Sequence, residues 1–233
     1  MMTVDEARGL VSNQALWPRI RDFLWDFAPQ IHESWLECLT QRCRGAESAG
    51  DSDAYSITAA MRDAKGHPRV KAWLLKELGV EPCFHSFPKD DLSRLLLLDG
   101  ATIEEIAKWL GALACAEELR HVTSGATVRA LKTALPGIYP EVFGYTAYFN
   151  GLAAKNAKAA KTPEEIVAIG FKMLFSQLAE LPKPLVARLK FKLPKSLCEL
   201  CVLCGKGECA VSRSVILKLL KLKFPEAYKI CCS

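Results

Sequence analysis

The sequence lacks an apolar run long enough to cross a membrane, and it lacks a recognisable export signal. Its longest apolar stretch, Ile106 to Ala116, is interrupted by Lys108, whereas a membrane-spanning helix needs roughly 20 apolar residues. The opening segment, MMTVDEARGL, has neither the basic nor the apolar region of a signal peptide. These absences predict a cytoplasmic protein that does not insert directly into a membrane.

The residue patterns that support catalysis are also missing. We find no nucleophile beside a base, no glycine-rich phosphate loop and no acid–base pair of carboxylates. Cys83 and His85 lie close in sequence, but a catalytic pair depends on tertiary geometry and a third orienting group, so we interpret them as an ordinary loop pair. The histidines are too scattered to suggest a site: His32, His67, His85 and His121. We therefore expect no enzymatic activity, no catalytic residues and no cofactor.

Patterns typical of β-strands are scarce. Apolar and polar residues alternate clearly only in Leu189–Leu193, LKFKL, which is too short to define a sheet. Helical spacing dominates elsewhere, as in the N-terminal stripe formed by Leu16, Ile20, Phe23, Leu24 and Phe27. The sequence therefore predicts an all-α fold class, a compact multi-helix globular fold with little or no sheet.

A small and polar stretch, RGAESAGDSDAYS from Arg44 to Ser56, is the best candidate boundary in the N-terminal half. We predict an N-terminal helical region at residues 1–90, with a flexible loop around 44–56, and a main helical domain at residues 91–233. The main domain would end in a basic C-terminal helix that Pro225 stops.

Local signals predict helix starts and a close helix–helix contact in the main domain. Thr102 with Glu105, and Thr162 with Glu165, match the capping-box pattern at a helix N-terminus. Gly111 and Gly170 lie inside predicted helices, where glycine costs about 1 kcal/mol relative to alanine. Such glycines indicate tight packing of one helix against another, and we favour a contact within this chain.

Charge is unevenly distributed along the sequence. Residues 1–154 carry a net charge of −4 and residues 155–233 a net charge of +9, which together give the +5 of the whole chain. A basic C-terminal third attracts nucleic acid, an acidic lipid surface or an acidic protein, or it is simply a solvated helix face. Because no nucleic-acid-binding motif accompanies the lysines, we favour a partner-facing or solvated helix. The charge split would suit two differently charged protein partners.

Ten cysteines is a high count for a chain without an export signal, so we expect reduced thiols. The spacing of Cys198, Cys201, Cys204 and Cys209 suits zinc or an iron–sulfur cluster, but it matches neither the separated pairs of structural zinc nor a ferredoxin run. On a regular helix, Cys198 and Cys204 would lie about 9 Å apart along the axis, too far to ligate one zinc. Metal binding and free, buried thiols both stay open, and we assign no metal ligand.

The order of features in the second half of the chain resembles one family. The features are Leu110-Gly111, Glu117, Leu119-Arg120, Val128, Leu131, the aromatic-rich Tyr139 to Phe149, the Thr162 to Leu181 helix, Leu185 to Pro194, and a basic terminal helix ending near Pro225. This order resembles the SctK (YscK/PscK-like) family, accessory subunits of the cytosolic sorting platform of bacterial type III secretion systems. The resemblance covers residues 92–194 and, more loosely, residues 211–230.

The resemblance implies a non-enzymatic cytosolic adaptor at the cytosolic face of the inner-membrane secretion machinery. Such an adaptor would link the cytoplasmic domain of the inner-membrane ring protein (SctD-like) to the pod protein (SctQ-like). Through the pod protein it would reach the stator (SctL-like) and the export ATPase (SctN-like). The family implies no catalytic or cofactor residues, and the cysteine cluster departs from its usual pattern. We expect no nucleic acid among the partners.

Glu117 and Arg120, near the best-matching motif, are our candidate partner-binding residues. The alternative for this pair is an exposed helical ion pair that contributes at most about 0.5 kcal/mol. The alternative for the whole protein is a small zinc- or iron–sulfur-binding module with a basic C-terminus that could bind nucleic acid. Stoichiometric metal in the purified protein would favour that alternative.

Overall fold

The computed structural model describes residues 14–44, 59–89, 91–149, 162–203 and 211–232. No residue in these ranges is in a β-strand, so the predicted all-α fold class is confirmed. The α-helices are Trp17–Leu24 (α1), Glu33–Arg44 (α2), Pro68–Glu77 (α3), Gly100–Ala114 (α4), Ala116–Arg120 (α5), Gly125–Ala134 (α6), Pro163–Gln177 (α7), Lys183–Lys192 (α8), Lys195–Leu203 (α9), Arg213–Lys223 (α10) and Pro225–Cys232 (α11). A further helical stretch lies at residues 59–64. The 3₁₀ helices are Gln14–Leu16, Ala28–Gln30, Leu92–Leu97, Glu141–Gly144 and Thr146–Phe149.

The described residues pack as two units. The first contains the residues up to Gly100 together with Leu181–Cys198, and the second contains Ala101–Glu180 together with the residues from Glu199 onward. This grouping describes packing and not independent folding, so the division into residues 1–90 and 91–233 stays a prediction. The predicted loop around 44–56 lies outside the described residues, apart from Arg44 at the end of α2. No helix in the described ranges is both long and apolar enough to span a bilayer.

Aromatic packing holds the C-terminal segment of the first unit against its N-terminal helices. The Trp35 ring of α2 meets the Phe191 ring of α8 edge to face, with centroids 4.9 Å apart. The Trp35 indole N–H donates a hydrogen bond to the Leu193 carbonyl (2.9 Å), and the His32 amide donates to the Phe191 carbonyl (2.8 Å). Residues far apart in sequence thus share one core.

The strand-like alternation at Leu189–Leu193 does not form a strand, because these residues form the end of α8 and the link that follows it. Leu185, Arg188, Leu189 and Lys192 are all buried, and their spacing is that of one helical face. Two of these inward residues are a lysine and an arginine, so the apolar pattern of the helix is interrupted in the sequence. The apolar and polar residues that remain in the pattern alternate as they would in a strand.

The predicted close contact of Gly111 and Gly170 is confirmed in the second unit. A Cβ atom on Gly111 would overlap the Ile166 carbonyl oxygen of α7. A Cβ atom on Gly170 would overlap the Ala107 carbonyl oxygen of α4 and would lie 2.8 Å from the Gly111 nitrogen. The two helices therefore cross with their backbones in contact, and glycine is required on both sides.

Of the two predicted capping boxes, the one at Thr162 is confirmed and the one at Thr102 is wrong. The Glu165 amide donates to the Thr162 hydroxyl (3.3 Å), and the Thr162 amide donates to the Glu165 carboxylate (2.9 Å). By contrast, α4 begins at Gly100, which places Thr102 inside its first turn. A Cβ atom on Gly100 would overlap the Lys192 carbonyl oxygen, so the first residue of α4 must be glycine.

Pro225 does not end the helical part of the chain as predicted. It ends α10 and begins α11, which runs to Cys232. A proline is well suited to the first position of a helix, because the amide hydrogen that it lacks has no partner in the first turn. The basic C-terminal helix is therefore α10, and it is followed by a second helix that the sequence pattern did not reveal.

Candidate partner-binding surfaces

Four large hydrophobic side chains stand out among the described residues because they are exposed. The exposed fractions are 40% for Trp17, 47% for Trp25, 58% for Tyr148 and 44% for Leu222. The two tryptophans belong to the first unit, and Tyr148 and Leu222 belong to the second. Exposed apolar side chains that lie together are typical of surfaces that contact other proteins.

The tryptophan surface consists of Trp17, Trp25 and Phe84. Trp17 begins α1 and Trp25 follows its last residue, and the inward side of this helix is occupied by buried residues such as Phe23. The Trp17 and Trp25 rings touch, with centroids 5.7 Å apart, and Trp25 also lies 6.3 Å from the Phe84 ring. Mutual packing keeps these rings in place, so a partner would meet a preformed aromatic surface.

The Arg120 corner consists of Arg120, Phe143 and Thr146 in the second unit. Arg120 donates a hydrogen bond to the Thr146 hydroxyl (2.7 Å), and that hydroxyl donates to the Phe143 carbonyl (3.0 Å). The Arg120 guanidinium carbon lies 5.9 Å from the centre of the Phe143 ring. These contacts hold an exposed arginine next to an aromatic ring, a combination enriched among energetically important interface residues.

A lysine from α10 fixes the aromatic segment next to the Arg120 corner. The Lys223 amine lies 4.2 Å from the Tyr145 ring centre and 4.4 Å from the Trp109 ring centre, and it forms an ion pair with Glu141. Partial burial alone would lower the pKa of Lys223, but hydrogen bonds with Glu141 and Tyr145 outweigh burial and raise it. The amine therefore stays charged and holds the 3₁₀ segment against α10.

The two residues predicted to bind a partner lie on one short helix, α5, and both are exposed. They do not form the helical ion pair that we considered as the alternative, because Arg120 turns towards Thr146 and Phe143. Glu117 sits one turn earlier on the same helix, and both remain available to a partner. Their role in partner binding stays a proposal.

Of the other residues singled out in the sequence, those that the structure describes do not converge on a site. Cys198 and Cys201 lie on α9, and the Cys198 thiol donates to the Lys190 carbonyl (3.3 Å). Cys204, Cys209 and the side chain of Cys201 lie outside the described part of the structure. Within the described part, no three His, Cys, Asp or Glu side chains are placed to hold a metal ion.

Cys83 and His85 make contacts with different residues. The Cys83 thiol accepts a hydrogen bond from the Arg188 guanidinium (2.7 Å), while the His85 ring meets the Phe87 ring with centroids 4.9 Å apart. Burial raises the pKa of the Cys83 thiol, although Arg188 opposes this, and burial lowers the pKa of His85. A thiol with a raised pKa is a poor nucleophile, and its hydrogen-bond partner is Arg188 and not His85.

Sequence reasoning missed a buried lysine in the first unit. Lys192 is 4% exposed, and its amine donates to the carbonyls of Leu96 (2.6 Å) and Leu98 (2.8 Å). Burial lowers the pKa of Lys192 to about 7, with Asp99 opposing the shift. It lies at a cleft of about 370 Å³ that is lined by Arg19, Asp22, Gln30, Leu97, Leu98, Asp99, Gly100 and Lys192.

The described residues thus define an all-helical protein that presents exposed aromatic and basic side chains. A sequence profile of the family described as YOP proteins translocation protein K (YscK) matches residues 46–231. Because this match spans well over half of the sequence, the chain belongs to the YscK family, and the predicted resemblance is confirmed. It is therefore a type III secretion protein, of a family of structural and accessory subunits that is not known for enzymes. No curated protein and no solved structure matches the chain.

Proposed function

We propose that this protein is a non-enzymatic adaptor in the sorting platform of a type III secretion system. It would link the cytoplasmic domain of the inner-membrane ring protein (SctD-like) to the pod protein (SctQ-like) at the cytosolic face of the inner membrane. Contact with the stator (SctL-like) and the export ATPase (SctN-like) would be indirect, through the pod protein. Family membership supports the secretion system as the setting.

The observation that carries the adaptor role is that each unit has its own exposed apolar side chains. The first unit exposes Trp17 and Trp25, and the second exposes Tyr148, Leu222 and Arg120. An adaptor needs two separate contact areas, because it must bind two proteins at the same time. Tryptophan, tyrosine and arginine are the residues most often found to dominate binding energy at interfaces.

Two alanine variants test whether the surfaces serve different partners. We expect Trp25→Ala to weaken binding of one partner and Arg120→Ala to weaken binding of the other, each by about 30-fold, the effect of losing about 2 kcal/mol. Binding of the full chain to each purified partner would be measured by calorimetry. Glu117→Ala, on the same helix as Arg120, should weaken the same partner as Arg120→Ala.

Matched controls are available in both units. Arg42→Ala on α2 in the first unit and Lys132→Ala on α6 in the second remove exposed basic side chains from helices that contribute no residue to either surface, and they should leave both affinities unchanged. Circular dichroism would verify that every variant keeps its helical content. If Trp25→Ala and Arg120→Ala bind both partners as well as the unmodified chain does, the two surfaces are not the contact areas and the proposal fails.

A further inference from the structure

The outward face of α10 combines positive charge with exposed apolar side chains. We define the basic face as Lys218, Lys221 and Leu222 of α10, together with Tyr148. Lys218 and Leu222 lie one turn apart, and all four side chains are exposed. The Lys218 amine donates to the Tyr148 carbonyl (2.7 Å) and lies 5.8 Å from the Tyr148 ring centre. Tyr148 is therefore held at the edge of the helix.

The lysines of the basic face have no carboxylate to neutralise them among the described residues. Lys221 is exposed and makes no hydrogen bond or ion pair there, and Lys218 bonds only to a backbone carbonyl. The other two lysines of this C-terminal segment are already paired, Lys223 with Glu141 and Lys229 with Glu226. The basic face thus has uncompensated positive charge next to 44% exposed Leu222.

We propose that the basic face binds an acidic segment of a partner protein, one that places an apolar side chain between its carboxylates. This inference rests on the proposed function, because the partner would be one of the two proteins that the adaptor joins. Carboxylates would pair with Lys218 and Lys221, and the apolar side chain would cover Leu222 and Tyr148. Charge complementarity of this kind speeds association and selects the partner.

A membrane surface fits the basic face less well than a protein does. A helix that lies on a membrane inserts a broad apolar face between the lipids. The apolar face of α10 is already used, because Ile216, Leu219 and Leu220 are at most 1% exposed. Leu222 alone is too small an apolar surface to insert between lipids. Anionic lipids would therefore make only electrostatic contacts with the basic face.

Nucleic acid also fits the basic face poorly. Affinity for nucleic acid grows with the number of phosphates that cations neutralise, and strong binders make several such contacts. Pairing of Lys223 and Lys229 with carboxylates leaves three cations for phosphates among the described residues of this segment, Arg213, Lys218 and Lys221. The exposed aliphatic Leu222 has no role in phosphate binding, whereas it matches a protein side chain.

Charge reversal at Lys221 tests the inference. Lys221→Glu should weaken binding of one partner, the SctD-like domain or the SctQ-like protein, by about tenfold at about 50 mM NaCl. The effect should shrink at about 500 mM NaCl, where exposed charges are screened. Leu222→Ser should weaken the same partner by about fivefold at both salt concentrations, because an apolar contact is not screened. Lys229→Glu, with the same charge change on α11, is the matched control and should bind normally.

The outcomes separate this inference from the proposed function. If both partners bind and Lys221→Glu behaves like Lys229→Glu, only the inference on the basic face is overturned. If neither partner binds the unmodified chain, the proposed function fails and the inference fails with it. Loss of binding to phosphatidylserine vesicles or to a single-stranded oligonucleotide, with protein binding unchanged, would assign the face to another ligand. Self-association of the chain that Lys221→Glu abolishes would assign it to a second copy.

Discussion

Lys192 and Arg188 occupy inward positions of α8, where an uncharged side chain would be the usual choice. A buried donor is tolerated when it finds acceptors, and backbone carbonyls provide them for Lys192. A neutral lysine amine has two N–H donors, which matches the carbonyls of Leu96 and Leu98. The Phe23 ring covers the amine from another side, with its centre 4.7 Å away. The site therefore accommodates the neutral amine, which is the main form of Lys192 at pH values above about 7.

The lowered pKa of Lys192 predicts how stability depends on pH. In the folded chain this pKa is about 7, and in the unfolded chain it returns to the ordinary value near 10.5. Between these values the unfolded chain binds a proton that the folded chain does not, so stability should rise with pH. The slope contributed by Lys192 is at most about 1.4 kcal/mol per pH unit, and it vanishes below pH of about 7. Urea unfolding at several pH values from 7 to 10 would measure the free energy of unfolding and thus this slope.

Two substitutions on α8 isolate the contribution of Lys192. Lys192→Met should flatten the dependence of the free energy of unfolding on pH between about 7 and 10, relative to the unmodified chain. Lys190→Met, at an exposed position of the same helix, should leave the slope unchanged. Equal slopes in all three proteins would mean that Lys192 keeps its proton in the folded chain.

At the scale of secondary structure elements, the crossing of α4 and α7 depends on glycine. Helix propensity alone predicts that Gly111→Ala stabilises the chain by about 1 kcal/mol. The structure predicts the opposite sign, because the new methyl group would overlap the Ile166 carbonyl oxygen. We expect a loss of at least about 2 kcal/mol in the free energy of unfolding, as for other overpacked sites. Chemical unfolding monitored by circular dichroism measures it.

Gly144→Ala is the control for this crossing. Gly144 also belongs to the second unit, but a Cβ atom there would meet nothing within 4 Å. Its substitution should change the free energy of unfolding by no more than about 0.5 kcal/mol. A stabilised Gly111→Ala variant would contradict the close approach of the two helices.

Local chemistry was enough to predict some elements and not others. The Thr162 capping box and the glycine contact were predictable, because each depends on residues whose special geometry is visible in the sequence. The helical state of residues 189–192 was not predictable, because burial of Lys192 depends on carbonyls supplied by a distant segment. The second helix after Pro225 was missed because proline both ends and begins helices.

At the scale of the whole molecule, the candidate surfaces were only partly predictable. Arg120 was singled out from the sequence, but its contacts with Thr146 and Phe143 depend on how the 3₁₀ segment packs. The tryptophan surface was missed, because a tryptophan in an amphipathic stretch is expected to face the core. Trp17 and Trp25 are exposed because α1 turns a different side, which carries Phe23 and its neighbours, towards the core.

A bridging assay tests directly whether the protein works by joining two others. The SctD-like cytoplasmic domain would be immobilised and incubated with the SctQ-like protein, with and without this chain. We predict that the SctQ-like protein is retained only when the chain is present. Equal retention without the chain, or displacement of one partner by the other, would contradict the claim.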